Sequence, residues 1–326
     1  MQSFSRDTLN LDAEIEIERI TGEIRHQVKD VLRRRGAIIG LSGGIDSSVC
    51  AALLVRALGP KRVFGLMMPE EESADESLTL ARELAERLGI GSLVEPISPL
   101  LDATRCYHRR DLAIRQADPT FVFGERSKLV IHSSGEDALF HFFSVVTEDC
   151  EGRQKTTRLS HSTYLEIVAA SNFKQRSRKM LEYFHGDRLH YAVCGTPNRL
   201  EYDQGFFVKN GDGAADFKPI AHLYKSQVYQ LAKSLDIPDS IRTRPPTTDT
   251  YSLPQSQEEF YFSLPYDQMD LCLYGIDHNI APEQVAAALD IPINTVKRVY
   301  IDIATKRRTT EYLHLAPLLI KDQKRI

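Results

Sequence analysis

The chain has 326 residues, 42% of them hydrophobic and 26% charged, which excludes a disordered or collagen-like polymer and leaves material for two domains or one with an insertion. Its 41 Lys+Arg against 45 Asp+Glu give a net charge of −4, so no global cationic field points to nucleic acid. The polar, acidic start (MQSFSRDTLNLDAEIEIER) predicts no signal peptide, and no apolar run approaches the roughly 20 residues of a membrane helix. Cys50, Cys106, Cys150, Cys194 and Cys272 form no C-x-x-C pair, and their odd number fits no closed disulfide framework. A soluble protein of a reducing, cytoplasmic compartment is expected.

In chain order, apolar positions at Ile15, Ile17, Ile20, Ile24, Val28 and Leu32 predict a helix over Leu11–Arg35. The run Ala37–Leu41, bounded by glycine on one side and Ser42-Gly43-Gly44 on the other, reads as a buried parallel strand. Helix over Asp46–Leu58, strand over Val63–Met68, helix over Ser73–Leu88 stopped by Gly89, and strand over Leu93–Ile97 follow. This alternation predicts an α/β fold with a doubly wound parallel sheet. Between Ala103 and His161 the pattern is lost, apart from a hairpin of Phe142–Thr147 and Lys155–Leu159 around Glu151-Gly152. It resumes with a helix near Asn172–Phe184, a strand over Leu189–Cys194 and a helix over Tyr224–Leu235. A connector, Arg244-Pro245-Pro246, leads into a helical C-terminal third. The expected division is 1–102 for the first half of the α/β domain, 103–161 for an insertion, 162–250 for the second half, and 251–326 for the helical region.

The strongest chemical signal is Leu41-Ser42-Gly43-Gly44-Ile45-Asp46-Ser47-Ser48, at the end of the first strand beside Gly40. Paired glycines let backbone N–H groups approach an anion, the helix start adds positive potential, and three serines add hydroxyls. The lysine of a Walker A loop is missing, and so is the spacing of a dinucleotide G-x-G-x-x-G. A carboxylate inside an anion cradle repels phosphate unless a divalent cation lies between them, so Asp46 reads as a Mg²⁺ ligand.

This Ser-Gly-Gly-x-Asp-Ser loop resembles the pyrophosphate loop of the N-type ATP pyrophosphatases. A second string, Cys194-Gly195-Thr196-Pro197-Asn198-Arg199-Leu200-Glu201 followed by Gly205-Phe206-Phe207-Val208-Lys209-Asn210-Gly211-Asp212-Gly213-Ala214-Ala215-Asp216 and Tyr224-Lys225, resembles the ammonia-dependent NAD synthetases. The resemblance implies amidation of nicotinic acid adenine dinucleotide (deamido-NAD) by ammonia, through an acyl-adenylate, with AMP and pyrophosphate released. It implies that Glu201 joins Asp46 on Mg²⁺ and that Lys225 acts with them. Ser73, Thr196, Lys225 and Thr247 would contact ATP together with the Gly40–Ser48 loop. Arg176, Lys209, Asp212, Asp216 and Lys306 would hold the dinucleotide, beside an aromatic wall of Phe206 and Phe207. A homodimer is implied as well, with the dinucleotide at the subunit interface and Arg19 of the first helix as a contact there, and ammonia either free or supplied by a partner.

The chain departs from the family pattern in three places. Thr305-Lys306-Arg307 stands where the family usually has His-Lys-Arg, Pro197-Asn198-Arg199 differs from the common bacterial continuation, and Ala103–His161 exceeds the usual connector. These departures keep a second reading open, an amide-forming ligase for another carboxylate, beside a non-catalytic nucleotide-binding regulator. His132, His141 and His161 in the insertion suit no metal spacing. Pro282–Ile291 and Asn294–Val299 look like a helix-turn-helix with basic residues beyond it, but the acidic chain and the ATP loop favour packing helices over DNA readout.

Overall fold

The computed structural model describes residues 4–134, 140–245, 250–256 and 261–320. Asp12 caps α1 (Ala13–His26) through the Ile15 N–H at 3.1 Å. The helix runs on through a π-turn over Gln27–Val31, so the periodicity read over Leu11–Arg35 is real but changes pitch near its end. Then come β1 (Ala37–Gly40), α2 (Ile45–Leu58), β2 (Val63–Met67), α3 (Asp75–Leu88), β3 (Gly91–Val94), α4 (Ser98–Ala103) and α5 (Cys106–Ala117). A second group holds β4 (Arg126–Ser134), β5 (Phe140–Glu148) and β6 (Gln154–Arg158). It leads into α6 (His161–Leu189) and the two-residue β7 (Ala192–Val193). Helices α7 (Arg199–Gln204), α8 (Lys225–Ser234), α9 (Asp239–Arg242), α10 (Tyr266–Asp277), α11 (Pro282–Leu289) and α12 (Ile293–His314) follow.

The strands of the α/β part pair in parallel in the order β3-β2-β1-β7, with Ile38 opposite Phe64 and Val193. Side chains alternate between the two faces of the sheet. Ala37, Ile39, Val63, Met67 and Ala192 pack with α1, α2, α3 and α8, whereas Ile38, Leu66 and Val193 pack with Ile97, Leu101, Cys106 and the Phe173 and Leu181 of α6. Both faces are therefore covered by helices, which is the doubly wound arrangement expected from the sequence.

The insertion is more ordered than its sequence suggests. Its hairpin is present, turning at Gly152 with φ +78°, but a third strand, β4, pairs antiparallel with β5 from Arg126 opposite Glu148 onward. Helix α5 fills part of a stretch that showed no helical pattern, and its charged Arg110 and Asp111 are both buried. Helix α6 begins eleven residues before Asn172, capped by Ser160 on the Thr163 N–H at 3.1 Å, and takes in Leu189. The strand expected over Leu189–Cys194 thus shrinks to β7. Strand β3 lies earlier than Leu93–Ile97: it pairs Gly91–Val94 with Phe64–Met67, and Ile97 is instead the buried residue that precedes α4.

The C-terminal helices close a separate core in which Leu9, Leu200 and Tyr224 meet Met269, Cys272, Val285, Leu289, Val296, Val299 and Ile303. The helix-turn-helix pattern is geometrically real, with Asp290 in the left-handed region at φ +57°, but its apolar faces are spent on this core.

Candidate active site

A cavity of about 610 Å³ opens over the carboxyl ends of the parallel strands and extends along α6 toward the inserted sheet. Its floor is the loop between β1 and α2. Gly43 takes φ +73°, and a Cβ there would lie 2.5 Å from the Ser77 carbonyl oxygen, so only glycine lets the loop pass α3 this closely. Gly44 is the N-cap of α2 with no side-chain cap, which leaves first-turn amides for an anion. The hydroxyls divide the work. Ser48 is fully buried and donates to the Gly44 carbonyl at 2.7 Å, and Ser47 donates to the same oxygen at 3.0 Å while meeting Ser42 Oγ at 3.0 Å. Gly40, Leu41, Ser42, Gly44, Ile45, Asp46 and Ser47 line the cavity, whereas Gly43 and Ser48 shape the loop from behind.

Asp46, in the first turn of α2, is the centre of a polar cluster. One carboxylate oxygen pairs with Lys225 Nζ, and the other accepts from Asn198 Nδ2 at 3.1 Å. Asn198 caps α7 by accepting from the Glu201 N–H at 3.2 Å, and the Glu201 carboxylate accepts from the Asn198 N–H at 3.3 Å. Asn198, one of the departures from the family pattern, thereby holds both acids in register. Lys225 is almost wholly buried. Burial works against its charge, but Asp46 and Glu201 outweigh that and hold the ammonium firmly protonated. Lys225 opens α8, and Asp270 of α10 fixes that helix start by accepting from the Lys225 N–H at 3.2 Å and the Ser226 N–H at 2.7 Å. Burial pushes the Asp270 carboxyl up to about 7.

Thr196 and Ser73 also line the cavity. Ser73 Oγ accepts from the Glu70 N–H at 3.1 Å, and that loop is anchored by a buried ionic network. Lys174 donates to Glu70 at 3.0 Å, to Glu72 at 2.5 Å and to the Thr250 carbonyl at 2.9 Å, while Arg110 pairs with Glu72 at 2.5 Å and Asp111 at 2.9 Å. Thr247 lies outside the described residues.

The residues expected to hold the second substrate separate. Arg176, Lys209 and Asp212 line the cavity with Phe206 and Phe207. Arg176 donates to the Lys209 carbonyl at 3.3 Å, Lys209 Nζ donates to the Tyr312 and Leu315 carbonyls at 2.6 and 3.2 Å, and Asp212 closes its own loop by accepting from the Val208 N–H at 2.7 Å. Asp216 is placed elsewhere: it accepts from the Val193 N–H at 2.8 Å and from Tyr183 at 3.2 Å, stitching the edge of the sheet. Lys306 is also outside the lining, pinned between the Tyr261 carbonyl at 2.6 Å and Asp302 at 2.7 Å. Arg19 sits on the outer face of α1, paired with Glu16 at 2.6 Å and near His222.

Sequence reasoning missed Lys179 and Glu182, a buried pair at 2.5 Å in the cavity wall, as well as Asn198, Asp270 and Lys174. A sequence signal existed for Asn198 alone, since Asn-x-x-Glu is a capping pattern. The others announce themselves only by burial.

Comparison with known proteins decides the family. A model of the NAD synthase family matches residues 16–118 and 146–312. The chain belongs to the NAD synthase family. A protein of Rhizobium meliloti (strain 1021) named NH(3)-dependent NAD(+) synthetase is 58% identical over 318 residues, covering 98% of this chain and 95% of that protein. One of the same name from Thermotoga neapolitana is 34% identical over 262 residues, covering 80% and 84%. Among solved structures, the NMN synthetase of Francisella tularensis superposes with a TM-score of 0.66 at 23% identity, covering 96% of this chain and all of that one. The NH3-dependent NAD synthetase of Campylobacter jejuni gives 0.62 at 22%, covering 95% and 100%. At those identities the likeness is one of fold. The family model passes over 119–145, the stretch that holds β4.

Proposed function

We propose that this chain is an ammonia-dependent NAD synthetase, converting deamido-NAD, ATP and ammonia to NAD, AMP and pyrophosphate. The observation that carries the reading is the Asp46–Lys225 pair, braced by Asn198 and Glu201, at the mouth of an uncapped helix start in a chain of this family.

A carboxylate resists amines because its carbon is electron-rich and oxide is a poor leaving group. In the first step a carboxylate oxygen of the substrate attacks the α-phosphorus of ATP, and the bond from that phosphorus to the pyrophosphate oxygen breaks. The amides of the Ser42–Ser47 loop and the Lys225 ammonium face the charge that builds on the leaving group. In the second step the ammonia nitrogen attacks the acyl carbon, AMP leaves with the bonding pair, and the nitrogen sheds a proton. No side chain forms a bond to substrate, so positioning and electrostatics carry the rate. The buried Cys50 thiol beside Cys194 is no nucleophile, since burial raises its pKa well above the ordinary thiol value.

We assign Mg²⁺ to Asp46 and Glu201. Two carboxylates held in register by Asn198 suit a hard cation that would complete its shell with phosphate oxygens and water. When bound, that ion neutralises phosphate charge. Arg176, Lys209 and Asp212 are assigned to the dinucleotide on the strength of the resemblance and their place in the cavity. A homodimer and a cytoplasmic location belong to the same proposal. Met180 and Phe184 of α6, each more than half exposed, support the first, and free cysteines suit the second.

The test is pyrophosphate release from ATP with Mg²⁺ and ammonium, with deamido-NAD, with the corresponding mononucleotide acid, or with neither. Release that requires the dinucleotide, matched mole for mole by NAD, is expected. Release driven by the mononucleotide acid alone would instead make the chain a ligase of the same chemistry with a different acceptor.

A further inference from the structure

The inserted sheet stands apart from the parallel sheet in sequence, yet it reaches the cavity. Ile131 of β4 lines the cavity with Tyr164 and Val168 of α6 and with Tyr251. This end is apolar and aromatic. From Glu182, whose carboxylate approaches Gly40 at the loop, to Tyr164 is 18 residues of one helix, about 27 Å. Along the helix between them, Arg176, Arg178 and Lys179 also line the cavity.

Strand β4 also does something its own pairing does not require. Its outer edge holds the segment after the connector: the Leu253 N–H donates to the Ser127 carbonyl at 3.3 Å, the Ser127 N–H to Ser252 Oγ at 2.8 Å, Arg126 to the Ser252 carbonyl at 3.1 Å, and Gln255 Nε2 to the Leu129 carbonyl. Leu253 is buried against Val130 and Val146. From the opposite side Lys174 holds the Thr250 carbonyl. Tyr251, buried between these anchors, is thereby fixed in the cavity wall. Tyr164 is fixed in turn by stacking on Phe143 of β5, with ring centroids 3.6 Å apart and planes 13° from parallel.

We propose that the inserted sheet is a preformed wall for an aromatic ring of the acid substrate: β4 supplies Ile131 and positions Tyr251, and β5 positions Tyr164. The proposal rests on the deamido-NAD reading. A ring at this end, phosphates over the basic middle and a carboxylate toward the loop match the layout of a dinucleotide acid, and the faces of Ile131, Tyr164 and Tyr251 suit a flat ring. Ile131 lies in the stretch that the family model passes over. The wall's contribution is to substrate binding. A wall fixed before binding lowers the ordering cost of the segment that carries Tyr251, which strengthens binding without touching the reacting atoms.

The experiment is steady-state kinetics of the full chain with ATP and deamido-NAD varied separately, for wild type, Ile131→Ala, Ile131→Val and Gln255→Ala, each with its thermal midpoint. Ile131 is only half-buried, so its truncation leaves the fold intact. Expected are a roughly tenfold rise in KM for deamido-NAD in Ile131→Ala and Gln255→Ala, near-wild-type behaviour of Ile131→Val, and kcat and KM for ATP within about twofold throughout. An unchanged KM for the dinucleotide in Ile131→Ala, or an equal rise in KM for ATP, overturns the proposal. A wild type that turns over a different acid sinks the deamido-NAD reading alone, and the KM of the same variants for that acid then decides the wall.

Discussion

The loop after β1 and the sheet inserted between α5 and α6 face the same cavity, but they hold their shapes by opposite means. The loop is closed by its own backbone and near neighbours: Ser47 and Ser48 bond back to Gly44, and a glycine squeezes past α3. The sheet is held by partners far along the chain, β4 against residues 252–255 and Tyr164 against Phe143. Local closure suits chemistry, where the developing charge on phosphate must meet amides within tenths of an ångström. Distant bracing suits recognition, where a surface can be swapped without disturbing the reaction.

The largest effect should follow from breaking the polar cluster at the loop. Asp46→Asn or Lys225→Met is expected to lower kcat by at least about a hundredfold, since the first removes the carboxylate assigned to Mg²⁺ and paired with Lys225, and the second removes the ammonium that faces the leaving pyrophosphate. Pyrophosphate release at saturating substrates checks this, and a variant that keeps full activity with Mg²⁺ would remove Asp46 from the metal assignment. Gly43→Ala tests the loop's shape without touching a charge. Its methyl would press on the Ser77 carbonyl in a left-handed backbone, and the shift needed should cost about a hundredfold in kcat/KM while the protein stays folded.

These two regions also differ in how far the sequence reveals them. The loop and the string from Cys194 to Lys225 are legible because their chemistry is local: glycines, serines and an acid within eight residues specify a turn whatever surrounds it. Strand β3 was misplaced because an edge strand is chosen by backbone pairing with β2, and the apolar run Leu93–Ile97 drew attention away from the exposed Gly91 and Ser92. Strand β4 and helix α5 escaped notice for a related reason. Charges in α5 break the apolar periodicity of its sequence, and only the fold shows that Arg110 is buried against Glu72. Asp216 and Lys306 sit in matched motifs, yet the structure gives them bonds to the sheet edge and to the C-terminal bundle. A motif names residue types and not which way they face.

The network at Lys174 joins the two regions and should be the next most sensitive point. Lys174→Met leaves Glu70 buried with its ammonium partner gone, and a loss of about 3 kcal/mol in unfolding free energy is expected. Denaturant titration reads it. A loss below about 1 kcal/mol would mean that Arg110 and Tyr107 carry the loop between them.

Asp270 gives the loop side a pH signature of its own. Its carboxyl, raised to about 7, keeps in the folded protein a proton that the unfolded chain gives up near pH 4. Between those values the folded state binds more protons, so this group's contribution to stability is full at low pH and is lost as pH rises toward 7. The unfolding free energy of wild type relative to Asp270→Asn should therefore fall across that window by on the order of a few kcal/mol and level off above it. A difference flat with pH would show that the backbone N–H groups of Lys225 and Ser226 hold the carboxylate charged throughout.

The smallest effect isolates strain from site. Gly152, at the tip of the β5–β6 hairpin, has φ +78°, close to the +73° of Gly43, but a methyl there meets nothing within 4 Å. Gly152→Ala carries only the intrinsic penalty of the left-handed region, about 1 kcal/mol, against the steric demand added at Gly43. Its kcat and both KM values should match wild type while the thermal midpoint drops by a few degrees. If Gly152→Ala instead raised KM for the dinucleotide, the hairpin tip would be coupled to the cavity wall, and the inserted sheet would be one mechanical unit from its turn to Ile131.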